Sequence, residues 1–147
     1  MKKRTIGRRE KISLPEWGYR LISAKVDTGA YTNAIHCEYA KENETNGKKV
    51  LEFRLLSPQH RLYKDQVFQT TEYSRKKVKN SFGETEIRYK VSTKVLMFGE
   101  EFKTEFTLSD RSKMRNAILL GRKMLSGKFL VDVDEVNLSK KHKSSLK

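Results

Sequence analysis

Ala24-Lys25-Val26-Asp27-Thr28-Gly29-Ala30 (AKVDTGA) ends an alternating run that begins at residue 19 (YRLISAKV) and sets a carboxylate where a strand stops. A hydroxyl, a glycine and a small residue follow it. Glycine permits a sharp turn and a close amide approach to the carboxylate, and the threonine hydroxyl can bond across to a neighbour. Hydrolysis by a pair of carboxylates uses this arrangement. So does an ordinary Asx or Gly turn at a strand end, which is the first reading of the tripeptide on its own.

A second segment lies late in the chain. Residues 117–125 (AILLGRKML) are a short apolar run that passes into Gly121-Arg122 and then a short helical stretch, stopped by Ser126-Gly127. Between the two segments the periodicity is two. Residues 50–56 (VLEFRLL), 86–98 (EIRYKVSTKVLMF), 101–108 (EFKTEFTL) and 128–133 (KFLVDV) read as strands. Turn signals separate the runs at Asn46-Gly47, Ser57-Pro58, Asn80-Ser81-Phe82-Gly83 and Phe98-Gly99-Glu100. The pattern predicts an all-β barrel or sandwich with one short helix near the C-terminal end. Residues 109–114, beginning Ser-Asp, are a second helix candidate. The basic N-terminal stretch 2–11 carries Thr5 and Ile6, which suit a sheet edge. Residues 1–137 are assigned to one domain and 138–147 (LSKKHKSSLK), polar and basic, to a disordered tail.

The 147 residues hold 32 Lys+Arg against 18 Asp+Glu, a formal net charge of +14, with 36% hydrophobic and 34% charged residues. Such a chain supports one domain with a thin core and leaves room for a partner subunit to share burial. The single Cys rules out a disulfide framework and a four-thiolate zinc site. No window is long and apolar enough for a membrane span. The basic start lacks an apolar stretch, so a secretory leader is not read here and a cytoplasmic location is expected. The charge suits nucleic acid, a ribosomal surface or an acidic polypeptide.

The order of Asp-Thr-Gly early, a hairpin in the middle, Gly-Arg late and a final strand resembles the retropepsin-like aspartic proteases. A narrower similarity lies in 13–18 (SLPEWG), 26–36 (VDTGAYTNAIH), 53–58 (FRLLSP) and 107–125 (TLSDRSKMRNAILLGRKML). These strings resemble the RimB-like bacterial family, often labelled "ATP-dependent zinc protease". Its members are commonly encoded near the RimK-type ligase that adds glutamates to a small-subunit ribosomal protein. The resemblance implies a closed retropepsin-like (acid protease) barrel and an aspartic endopeptidase. It makes Asp27 the catalytic carboxylate and Thr28, Gly29 and Ala30 the active-site loop, with Gly121 and Arg122 packed in support. Asn80, Ser81, Phe82 and Gly83 would form the tip of the flap over substrate. One Asp-Thr-Gly in the chain implies a homodimer with Asp27 from each subunit at the axis. The implied substrate is an acidic polypeptide, such as a glutamylated ribosomal protein, and no cofactor is expected.

Two features depart from the pattern. Retropepsins pair the arginine with an Asp two residues beyond the glycine, and here Tyr31 stands there, which leaves Arg122 in need of another partner such as Asp110 or Asp132. Cations near a carboxylate pair also lower its pKa values and work against the shared proton at neutral pH.

The family label offers zinc and ATP. His36 and Cys37 are adjacent, so on a strand they point to opposite faces, and His60 and His142 lie apart from them, so no metal ligand is assigned. Residues 121–128 (GRKMLSGK) hold five residues between glycines where a phosphate loop has four, and Phe129 takes the Ser/Thr position. The run 74–79 (SRKKVK) carries four cations within five residues and reads equally as edge protection or as an anion-binding face. Tyr19, Tyr63, Tyr73 and Tyr89 lie among basic strands without an RNA-binding motif. Trp17 is read as a packing anchor and His36 as a satisfied polar position near the loop. Asp110 and Arg111 have no role beyond their place in the matching string. The competing readings are a non-catalytic binding module of the same fold for a ribosomal protein or RNA, and a zinc-dependent peptidase.

Overall fold

The alternation of residues 19–26 becomes a strand whose inward positions, Ile22, Ala24 and Val26, are buried. In the computed structural model, which describes residues 2–79 and 81–142, it is the third of eleven strands among the described residues. In chain order these are β1 (Arg4–Ile6), β2 (Arg9–Leu14), β3 (Tyr19–Val26), β4 (Asn33–Thr45), β5 (Lys48–Leu55), β6 (Phe68–Thr70), β7 (Tyr73–Lys79), β8 (Thr85–Met97), β9 (Glu100–Ser109), β10 (Ile118–Leu120) and β11 (Phe129–Val131). Two short helices, α1 (Arg122–Leu125) and α2 (Leu138–Lys141), flank β11.

Six strands close a barrel in the order β10-β3-β2-β8-β9-β4, because β10 also pairs with β4. Its pairs β10–β3 and β4–β9 are parallel, with Leu120 beside Val26 and Asn33 beside Phe106. The long strands β4 and β8 leave the barrel as arms, β4 continuing into a hairpin with β5 and β8 into one with β7. The β4–β5 and β8–β9 turns match the Asn-Gly and Phe-Gly signals. Asn46, Gly47, Phe98 and Gly99 all have positive φ, as the tight turns that follow strand twist require.

Ile12, Leu14, Ile22, Ile35, Leu55, Val95, Phe106, Ile118 and Leu120 are fully buried and fill the barrel. Each such side chain contributes about 1.5–3 kcal/mol of burial. Trp17 anchors the outer side of this core, with its ring centroid 5.9 Å from Phe53 and 6.0 Å from Phe106.

Two expectations are corrected. Residues 109–114 form no helix. Asp110 Oδ1 instead accepts the Ser112 N–H at 2.9 Å, a local Asx turn, and the mostly exposed residues beyond have no apolar face to bury. The assigned tail is ordered at its start, since Leu138–Lys141 is α2, with Ser139 buried. Its anchor is Glu10, a fully buried carboxylate that accepts the N–H groups of Gly7, Leu138 and Ser139 at 2.7, 3.1 and 2.9 Å. Residues 143–147 lie outside the described residues. The N-terminal stretch joins a sheet edge, with β1 parallel to β11.

Candidate active site

The chain turns at Asp27 because three hydrogen bonds define the loop. The Asp27 N–H donates to Leu120 O at 2.9 Å, which extends the β3–β10 pairing by one position. The Gly29 N–H donates to Asp27 Oδ1 at 2.9 Å, and the Ala30 N–H to Asp27 O at 3.2 Å. A Cβ on Gly29 would make a tight 3.1 Å contact with Asp27 Oδ1, whereas its φ is not positive. Asp27 is half-buried, while Thr28 and Gly29 are exposed. The loop therefore offers a carboxylate and a hydroxyl outward.

The Gly121-Arg122 segment grips this loop from below. The backbone N–H groups of Arg122 and Lys123 donate to Ala30 O at 2.8 Å and Tyr31 O at 2.9 Å. A Cβ on Gly121 would lie 2.7 Å from the carbonyl oxygens of Tyr31 and Thr32, so only glycine fits. The partner of Arg122 is not a carboxylate. Its Nη1 donates to Thr28 O at 2.9 Å, and its guanidinium lies 5.7 Å from the centroid of the Tyr31 ring. Tyr31 thus replaces an ion pair with a cation–π contact.

Asn33 was not singled out by the sequence, although it stands in the quoted string. It is buried, its Oδ1 accepts the Gly121 N–H at 2.8 Å, and its Nδ2 donates to Thr104 Oγ1 at 3.0 Å. A polar residue opening an apolar run (NAI) was the available signal.

His36 and Arg111 form a second clasp. His36 is buried, and its Nδ1 accepts the Arg111 backbone N–H at 2.8 Å. The proton then sits on Nε2, which lies 3.2 Å from Glu38 Oε1. Asp110 Oδ1 stands 3.8 Å from the same ring, and its carboxyl is held below the usual range, first by the Ser112 hydroxyl. The Arg111 side chain donates from Nε to Asn116 O at 3.1 Å. Burial lowers its pKa, and the Asp27 carboxylate, near enough to act, opposes that shift.

The remaining candidates are dispersed. Cys37 is buried on Tyr39 O, and burial pushes its thiol up to about 11. His60 Nδ1 accepts the Leu62 N–H, and His142 packs on Phe98 at the far end of the chain. Among the described residues no three His, Cys, Asp or Glu side chains converge as metal ligands do. In the segment 121–128 the N–H groups of Gly121, Ser126 and Lys128 go to acceptors within the chain.

The hairpin β7–β8 forms where the flap candidate lies, with Lys79 opposite Thr85 and Phe82 86% exposed at its turn. Ser81, Phe82 and Gly83 stand in that turn, and Asn80 lies outside the described residues. The run 75–79 occupies β7, and Arg75 is paired with Glu42 at 2.8 Å. Among the described residues no helix is long and apolar enough to cross a membrane.

Proteins of known sequence and structure resemble this chain. A crystal structure of a Legionella pneumophila protein of unknown function superposes with a TM-score of 0.74 at 24% identity, covering 94% of this chain and 99% of that one. It shows the fold. A protein of Shewanella pealeana named "Probable alpha-L-glutamate ligase" is 32% identical over 130 residues, and one of Parasynechococcus marenigrum with the same name is 30% identical over 131. These matches take in 88% and 86% of this chain, which spans only 28% and 27% of those proteins' lengths. The model of the RimB-like family, described as retropepsin-like aspartic endopeptidase RimB, matches residues 5–142. On that match, together with the closed barrel and the Asp27 loop, the chain belongs to the RimB-like family of retropepsin-like proteins.

Proposed function

We propose that the chain is a homodimeric aspartic endopeptidase whose active site is assembled from Asp27 of two subunits. The observation that carries this reading is the outward-facing Asp27 carboxylate on a loop pinned by β10 and α1, beside exposed Thr28 and Gly29. One loop supplies one carboxylate, and the chemistry needs two.

Two carboxylates brought together share one proton and titrate as a pair. The ionised member takes a proton from the water between them, and the oxygen of that water adds to the peptide carbonyl carbon. The protonated member donates to the carbonyl oxygen. The carboxyl that took the water proton gives it to the leaving nitrogen as the carbon–nitrogen bond breaks, and the oxygen that was the carbonyl returns its proton to the other carboxylate. Thr28 braces the two loops, Gly29 and Ala30 line the cleft floor, and the β7–β8 hairpin covers the substrate.

The net charge of +14 supports an acidic polypeptide as substrate. The names of the relatives in which a segment like this chain occurs support one that carries added glutamates, such as a glutamylated ribosomal protein in the cytoplasm. Occurrence within longer proteins named as ligases also favours a second reading, a binding module that presents such chains without cutting them.

Hydrolysis of a glutamate-rich peptide by the full chain, followed by mass spectrometry, tests the reading. Asp27→Asn is expected to abolish cleavage with an unchanged circular dichroism spectrum. Cleavage by the variant at the normal rate overturns it. Salt-sensitive binding with no cleavage by the unsubstituted protein favours the binding module.

A further inference from the structure

A pocket of about 240 Å³ opens beside the Arg111 clasp, lined by Ser23, Gln59, His60, Arg111, Arg115 and Asn116 among others, none of them Asp or Glu. Ser23, which lines the pocket, and Lys25 stand on one face of β3, and Asp27, just past the end of the strand, follows in the same alternation. Four residues of strand span about 13 Å, within reach of a few residues of extended peptide.

Arg111 is fixed at both ends, by its backbone N–H on the buried His36 ring and by its Nε on Asn116 O. Its two Nη groups make no hydrogen bond with the described residues, and among these no carboxylate pairs with it within 4.0 Å, the Asp27 carboxylate acting on it only from farther away. Partial burial of the guanidinium disfavours its charge. A partly desolvated guanidinium with its fork unused is costly unless an anion meets it. Its planar fork fits a carboxylate bidentately.

We propose that this pocket binds a glutamate side-chain carboxylate of the peptide substrate through the Nη groups of Arg111. The proposal rests on the peptide-binding reading above and adds the residue that selects the acidic side chain. The hydroxyl and amide groups of Ser23, Gln59 and Asn116 supply further donors around the bound carboxylate.

The test uses the full chain carrying Asp27→Asn, so that binding is measured without turnover. Fluorescence anisotropy with labelled hexaglutamate at physiological ionic strength compares it with the same protein carrying Arg111→Gln or Lys94→Gln. Lys94 is an exposed β8 cation, and its replacement changes the net charge equally. Arg111→Gln is expected to weaken binding about tenfold or more, and Lys94→Gln by less than about twofold. Equal effects of the two substitutions overturn the proposal, because the field of the whole protein then explains the affinity. If Arg111→Gln does not fold, nitrogen-15 NMR of the Arg111 guanidinium in the Asp27→Asn protein decides the matter. Hexaglutamate is expected to shift that signal, and an unshifted signal at saturation overturns the proposal. Peptidase failure remains separable, since hexaglutamate binding with this signature and no cleavage by the unsubstituted protein contradicts only the catalytic reading.

Discussion

Asn33 and Gly121 stand 88 residues apart and are joined by a 2.8 Å hydrogen bond from the glycine N–H to the asparagine Oδ1. The bond ties the start of β4 to the start of α1, and between these two points lies the Asp27 loop. Asn33→Ala removes the acceptor and leaves a buried N–H unpaired, a loss of about 1–3 kcal/mol. Urea denaturation checks it, and a loss below about 0.5 kcal/mol contradicts a bracing role.

Glu10 connects the two ends of the chain in a similar way. Its Oε2 accepts from Gly7 and Leu138 and its Oε1 from Ser139. Glu10→Gln sets an NH₂ group against at least one of these N–H donors whichever way the amide turns. Stability is expected to fall by about 2–4 kcal/mol, with hydrogen exchange at Leu138 and Ser139 accelerating most. An unchanged urea midpoint contradicts the anchor.

His60 gives the stability a pH dependence. Its pKa lies below the ordinary 6.5, first because of burial and then because of Arg61, Lys11 and His36. The unfolded chain therefore binds the proton more readily than the folded one. This contribution is complete above pH 6.5 and is lost as pH falls through the folded value. The melting temperature is expected to drop between pH 7 and pH 5, and His60→Gln to flatten that drop. Equal slopes in the two proteins contradict the assignment. Asp110, whose carboxyl is also held below its usual range, adds a further loss at lower pH.

Much of the barrel was legible where one face of a strand is buried. Tyr19–Val26 alternates because Ile22, Ala24 and Val26 face the core, and the Asn46-Gly47 and Phe98-Gly99 turns announce the hairpins around it. The strand β4 was hidden. Its outer half carries Glu38, Lys41, Glu42 and Glu44 on an arm that is only partly covered, so no period survives. The Asp27 loop and the Gly121-Arg122 support were visible as local strings. The clasps behind them were not, because Asn33–Gly121, His36–Arg111 and Glu10–Ser139 pair residues far apart in sequence. Arg122 shows the limit of copying a pattern, since its partner became a backbone carbonyl and a tyrosine ring once the expected aspartate was absent.

A site shared by two subunits is diluted when active and inactive chains mix. Unsubstituted protein is equilibrated with a roughly ninefold excess of the Asp27→Asn chain, and the rate of cleavage of a glutamate-rich peptide is read under substrate saturation. If each site needs Asp27 from both subunits, random exchange leaves about one tenth of the original rate. An undiminished rate, with exchange shown by mass spectrometry of the mixed dimers, contradicts the shared dyad.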